Sequence, residues 1–392
     1  MVGLTWRRQL LPVALGLFAL LAPGATNAAG TASGGRDFFV SPAGNNANQG
    51  TSATVPWRTL AKVDSARLLP GDRIHLQGGA RFDEPLAPYA GTAGTSAAPI
   101  TFDSYGPGRA TLAGSIYLNS VSNLVFDSLD VTSTGKGVFS SAGGTGVRAV
   151  ELSNLTISDV PLAGISSNNR ADSGWVIDGV TVTHTGDSGI YFLGSNFTIS
   201  RSHIADTGTN TSIGYPRHGI YAAGPAPTIV NNVIENSSTS GISLRYQDSL
   251  VQANRIRGGV RGVSFEEQAD VSGRTRILFN TISDVSDSGI VVARPAIESF
   301  VVAGNTIKGA RTYGLYFQTV SNLTIMNNVV DTSRARASLL SVRKPTRSFG
   351  EHDNLWSRAS RTAFSWNGVA RSFNAYRRAS GGGRADRFGD SK

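Results

Sequence analysis

The chain has 392 residues, with 36 Lys and Arg against 27 Asp and Glu for a net charge of +9, 46 Gly and no Cys. Without cysteine, a disulfide-stapled scaffold, thiol catalysis and Cys-based zinc or redox centres are excluded. The charge is uneven: residues 29–333 hold 21 basic and 23 acidic side chains, whereas from Arg334 onward there are 13 basic and 4 acidic.

Residues 1–28 read as a signal peptide, with Arg7 and Arg8, an apolar run from Leu10 to Ala22, and small residues ending at Ala28. The run is too short to span a bilayer, and no other apolar segment approaches it. The expectation is a secreted or periplasmic monomer with no membrane span once the signal is removed.

Residues 29–115 lack the regular repeat of the central region and read as an N-terminal cap with the first strands. Pro56 opens a short amphipathic stretch with Trp57, Leu60, Ala61 and Asp64 on one period, which predicts a helix near 56–66. From 116 to 345 a Gly-aliphatic step recurs, at Gly164, Gly189, Gly219, Gly241, Gly262, Gly289 and Gly314, with spacings of 21 to 30 residues. An Asn-x-aliphatic step keeps pace at Asn232, Asn254, Asn280, Asn305 and Asn328. Such a period means a solenoid, and β-rich runs broken by Gly, Asn, Ser and Asp make it an all-β right-handed parallel β-helix. The asparagines read as stacked turn amides that satisfy one another. Residues 346–392 read as a basic C-terminal segment, partly disordered. From Arg371 on they form either a solvated tail or a dock for a polyanion.

Five segments carry a family resemblance: Phe-Val-Ser-Pro-x-Gly-Asn (39–45), Pro-Trp-Arg-Thr-Leu-x-Lys (56–62), Pro-Gly-Asp-x-Ile-x-Leu-x-Gly-Gly (70–79), Ala-Pro-Ile-Thr-Phe (98–102) and Tyr-Gly-Pro-Gly (105–108). In this order they resemble the N-terminal portion of secreted parallel β-helix proteins of the polysaccharide lyase and mannuronan epimerase type. The resemblance runs from 37 to about 335 and implies activity on a glycan. Calcium is a possible cofactor by the same resemblance, with Glu266 and Glu267 as the carboxylates at hand, although pairing of Glu266 with Arg245 is the simpler expectation.

Counting each Gly as position 0, positions +1 and +3 face inward and +2 and +4 outward. The outward rows concentrate Tyr, Arg and Glu near Gly219 to Gly262, after an insertion over 209–218. His218 as base, Tyr221 as acid and Arg245 as carboxylate-neutralising cation suit β-elimination on a uronate, with Arg217, Tyr191, Tyr246, Glu266 and Gln318 as substrate-binding candidates. A lysine base is not expected, since the five lysines avoid the 200–300 region. The expected function is a lyase on an acidic polysaccharide, with no nucleic acid partner. Epimerase, glycoside hydrolase and non-catalytic glycan-binding protein are the alternatives.

Overall fold

The computed structural model describes residues 34–266, 273–293, 297–332, 337–344, 347–357 and 363–388. The signal peptide expected over 1–28 lies outside them, as do Glu267 and the last four residues. Each turn of the chain lays down three short strands, and strands of successive turns pair in parallel to make a right-handed β-helix of about 11 turns. Among the described residues no helix is long and apolar enough to cross a membrane.

The glycine-led face holds the row expected from the repeat. Ile165, Ile190, Ile220, Ile242, Val263, Ile290 and Leu315 pair in one register. All seven are fully buried, and each contributes on the order of 2 kcal/mol of hydrophobic burial. A Cβ built on Gly219 would lie 2.7 Å from the Ile234 Cγ2 of the next turn, and one on Gly241 would lie 2.4 Å from Ile256 Cγ2. The Gly-aliphatic and Asn-x-aliphatic steps keep pace because the glycine of one turn receives the branched side chain of the next. A side chain at either glycine would push the two turns apart.

The Asn-x-aliphatic steps line a second face. Asn232, Asn254, Asn280, Asn305, Asn328 and Asn354 are buried and linked head to tail, each donating its backbone and side-chain N–H groups to the Oδ1 of the next. Asn354 belongs to the ladder although its step escaped the sequence count. The ladder ends on the Asp386 carboxylate, which accepts from Asn354 N–H at 2.8 Å.

The solenoid is longer at both ends than the 116–345 expected. Its first pairing is Asp37–Val40 on Arg73–Gln77, so residues 37–115 supply turns as well as a cap. Helix α1 is Leu60–Asp64, shorter than the expected 56–66; Thr59 caps it, accepting from Lys62 N–H, and Leu60 and Val63 are buried.

The expected disorder after Arg371 does not hold over 373–388. There helix α2, Phe373–Ser380, is capped by Ser372 and by Gly381 at φ 73°. Its Tyr376 is fully buried and stacks on Phe364 at 5.1 Å. One buried aromatic on an amphipathic turn suffices to close the solenoid's open end, a signal that the surrounding Arg, Ser and Gly residues hide in a composition count.

Candidate active site

A groove of about 530 Å³ opens on the glycine-led face, lined in part by Lys136, Ser166, Asp187, Tyr191, Tyr215, Tyr221 and Arg245. The +2 row provides Ser166, Tyr191 and Tyr221, in direct register. The glycine explains the other wall. A Cβ at Gly137 or Gly219 would point at Ile157 or Ile234, into the core, and the next residue faces inward too. Strict alternation therefore breaks at the glycine, and the residue before it joins the outward side. That row reads Lys136, Ala163, Ser188, His218, Ser240 and Arg261.

Tyr221 is held from several sides. Its ring stacks on Tyr191 at 5.2 Å and on His218 at 5.2 Å, and the Arg245 guanidinium lies 4.9 Å from its centroid. Arg245 Nε donates to the Tyr221 hydroxyl oxygen at 3.0 Å, which leaves the hydroxyl hydrogen free to donate elsewhere. Arg245 Nη1 donates to the Glu266 carboxylate at 2.8 Å, and Arg261 Nη1 to its other oxygen at 2.7 Å. Burial opposes ionisation of Glu266, yet the two arginines hold its carboxyl below the usual range. Both oxygens being taken, Glu266 is the counter-ion of the arginines rather than an open ligand. Among the described residues no group of three His, Asp or Glu is placed to hold a metal.

His218 does not line the groove. It is only 3% exposed, and its Nδ1 accepts from Ser240 N–H at 3.3 Å, which uses the ring's one lone pair. Burial first, and the Arg245 charge second, push its pKa down to about 3. The geometry thus gives no support to His218 as a base and makes it a stacking partner of Tyr221.

Arg217 turns away, its guanidinium bonding the Asn210 and Ile213 carbonyls and so pinning the 209–217 insertion. Tyr246 accepts from Arg170 at 3.0 Å and is not among the groove's lining residues. Gln318 lies three turns beyond Arg245, roughly 14 Å at the strand spacing, and is not part of this groove.

Lys136, not expected as a site residue because it lies outside the 200–300 region, is part of the groove. Its Nζ donates to Asn168 Oδ1 at 2.9 Å and Ser166 Oγ at 3.2 Å. Burial lowers its pKa below the ordinary 10.5, against the pull of Asp187. Asp187 accepts from the Tyr215 hydroxyl at 2.7 Å, and Tyr215, pushed up to about 12 by burial and then by that bond, stays a phenol. Lys136 could have been found: Gly137-Val138 is one more Gly-aliphatic step, and Val138 pairs with Ile165.

The model of the right handed beta helix region matches residues 137–296 and 218–352. The chain belongs to the right-handed β-helix family. Among curated proteins, lacto-N-biosidase of Bifidobacterium longum subsp. longum is 24% identical over 337 residues, covering 72% of this chain and 20% of that protein. The chain thus spans about a fifth of that relative's length. Among solved structures, a GH136 lacto-N-biosidase from Eubacterium ramulus superposes with a TM-score of 0.53 at 13% identity, over 90% of this chain and 67% of that one. A PL6 polysaccharide lyase from Pseudopedobacter saltans superposes with a TM-score of 0.50 at 14% identity, over 84% and 90%. At these identities the likeness is one of fold.

Proposed function

We propose that this β-helix protein is a glycan-active enzyme that cleaves a uronate-containing polysaccharide by β-elimination in the groove of Lys136, Tyr221 and Arg245. The observation that carries the reading is a lowered-pKa amine, a free phenolic hydrogen and a guanidinium edge lining one groove, Lys136 reaching one turn forward to Ser166 and Arg245 one turn back to Tyr221, with Asp187 the single carboxylate among the described lining residues.

Arg245 Nη2 makes no hydrogen bond with a described residue and is the edge offered to the uronate carboxylate, which makes C5–H more acidic. Lys136 is the base. As a neutral amine its two hydrogens are satisfied by Ser166 and Asn168, and the remaining lone pair takes the C5 proton. The C5–H electrons form the C4–C5 double bond, the C4–O bond breaks, and Tyr221 gives its proton to the departing oxygen. Activity then rises with pH as Lys136 loses its proton, below the ordinary lysine range.

Hydrolysis is the second reading, favoured by the lacto-N-biosidase relative. It requires two carboxylates flanking the bond, and Asp187 alone among the described residues lining the groove provides one. Incubation with a panel of uronans and of neutral amino-sugar oligosaccharides separates the two. Ultraviolet absorbance of an unsaturated product supports elimination; new reducing ends without that absorbance overturn it.

A further inference from the structure

The body of the solenoid balances its charges, with 21 basic against 23 acidic side chains over residues 29–333. Arg36, Arg81, Arg109, Arg201, Arg257 and Arg261 each form an ion pair with an aspartate or glutamate. The C-terminal end does the reverse. Glu351 is buried, Asp386 ends the asparagine ladder and takes the Trp356 indole N–H at 2.6 Å, and Asp353 sits against His352 at 2.7 Å. The three described acids of this end are used inside it or beside a histidine.

The bases point outward. Arg343, Lys344, Arg347, Arg377, Arg378, Arg384 and Arg387 are exposed, and none forms an ion pair with a described residue. They stand on ordered scaffold: Arg343 and Lys344 end the strand Ser338–Lys344, and Arg377 and Arg378 lie on the last turn of α2, anchored by buried Tyr376. Their spacing is fixed, so binding a polyanion costs little ordering entropy, unlike capture by a flexible tail.

The end is also continuous with the groove. Arg343 stands in the +4 row that holds Arg245 and Gln318, between the registered pairs Phe317–Val342 and Thr319–Lys344. Four turns separate Arg245 from Arg343, about 19 Å along the solenoid axis. An acidic chain lying in the groove and running along this face passes Gln318 and reaches the basic end.

We propose that the C-terminal end of the solenoid is a second binding surface for acidic polysaccharide, holding the same polymer whose neighbouring segment occupies the groove. The choice of polymer rests on the elimination reading; the existence of an anion-binding end does not. The occupant is a long chain with carboxylates at regular intervals.

The test measures binding of long-chain alginate, a short uronate oligosaccharide, neutral dextran and duplex DNA to the full protein at several salt concentrations. The variants are Arg343→Gln/Lys344→Gln/Arg347→Gln and Arg377→Gln/Arg378→Gln, all exposed positions. Long-chain alginate is expected to bind about tenfold more weakly to the triple variant, with a shallower salt dependence, while turnover of the short oligosaccharide is unchanged. Unchanged alginate binding in both variants overturns the proposal, whatever the groove does. Equal or tighter binding of duplex DNA, lost in the same variants, overturns the polysaccharide assignment. If Lys136→Met and wild type alike turn over no uronan yet bind alginate through these bases, the groove reading falls and the basic end stands.

Discussion

Two rows of the same solenoid use polar residues in opposite ways. The asparagine ladder repeats one residue type from Asn232 to Asn354, is buried throughout, and satisfies itself. The groove rows hold no residue type for more than two turns, running from Lys136 and Ser166 to Tyr191, Tyr221 and Arg245, and keep hydrogen-bonding capacity aimed at solvent. In a stack of identical turns, repetition marks structure and departure from it marks a site, because only an unrepeated cluster can be complementary to a ligand with a direction.

Breaking the ladder should produce the largest effect. Asn280→Ala removes the acceptor of Asn254 N–H and Nδ2–H, at 2.9 and 3.0 Å, and the donors to Val251 C=O and Asn305. Several buried groups left unpaired cost about 5 kcal/mol together, read as a lower urea midpoint. Turnover per folded molecule should be unchanged.

Lys136→Met should do the converse. Loss of the base lowers turnover by about 10³-fold, roughly 4 kcal/mol in the barrier, while the urea midpoint moves little. Wild-type turnover in Lys136→Met, on a substrate the protein demonstrably cleaves, would sink the assignment.

The end of the ladder tests the comparison by pH. Glu351 occupies the inward position that Ile325 and Val302 hold in earlier turns, and burial, then Asp386, raise its carboxyl above the ordinary 4.5. The unfolded chain releases this proton near 4.5 and the folded chain keeps it to higher pH. The contribution is therefore full below 4.5 and falls as pH rises toward the folded value in the alkaline range. Glu351→Gln keeps an acceptor for Asn354 Nδ2, 2.8 Å away in the native protein, and should flatten the fall of the urea midpoint between about pH 5 and about pH 8.

The smallest effect is expected at His218. Phenylalanine preserves a ring against Tyr221, so His218→Phe should keep turnover within about threefold of wild type. A collapse of turnover with normal stability would restore His218 to the chemistry.

The fold was legible because the Gly-aliphatic and Asn-x-aliphatic steps interlock, and that constraint is written into every turn. Tyr191, Tyr221 and Arg245 were legible through alternation on the strand. Lys136 was not, because alternation fails at the glycine and places the preceding residue outward; His218 looked like a groove residue because it closes the 209–218 insertion, and burial beside Tyr221 removes it. Arg217 misled because an insertion needs its own anchors, and its guanidinium is one. The ordered C-terminal helix was masked by the basic, glycine-rich residues around Tyr376.

The asparagine ladder also has a sense of direction. Each asparagine hands its backbone N–H and one amide hydrogen toward the C-terminal end, returns the other amide hydrogen to a carbonyl of the preceding turn, and receives on its Oδ1 from the N-terminal side, so each interior turn is interchangeable with its neighbour while the two ends are not. A whole turn bringing its own glycine and asparagine leaves the chain of donors intact, but the last link needs a group that only accepts. Asp386 is that terminator, and the number of turns is free to vary only so long as such a stop residue travels with the end.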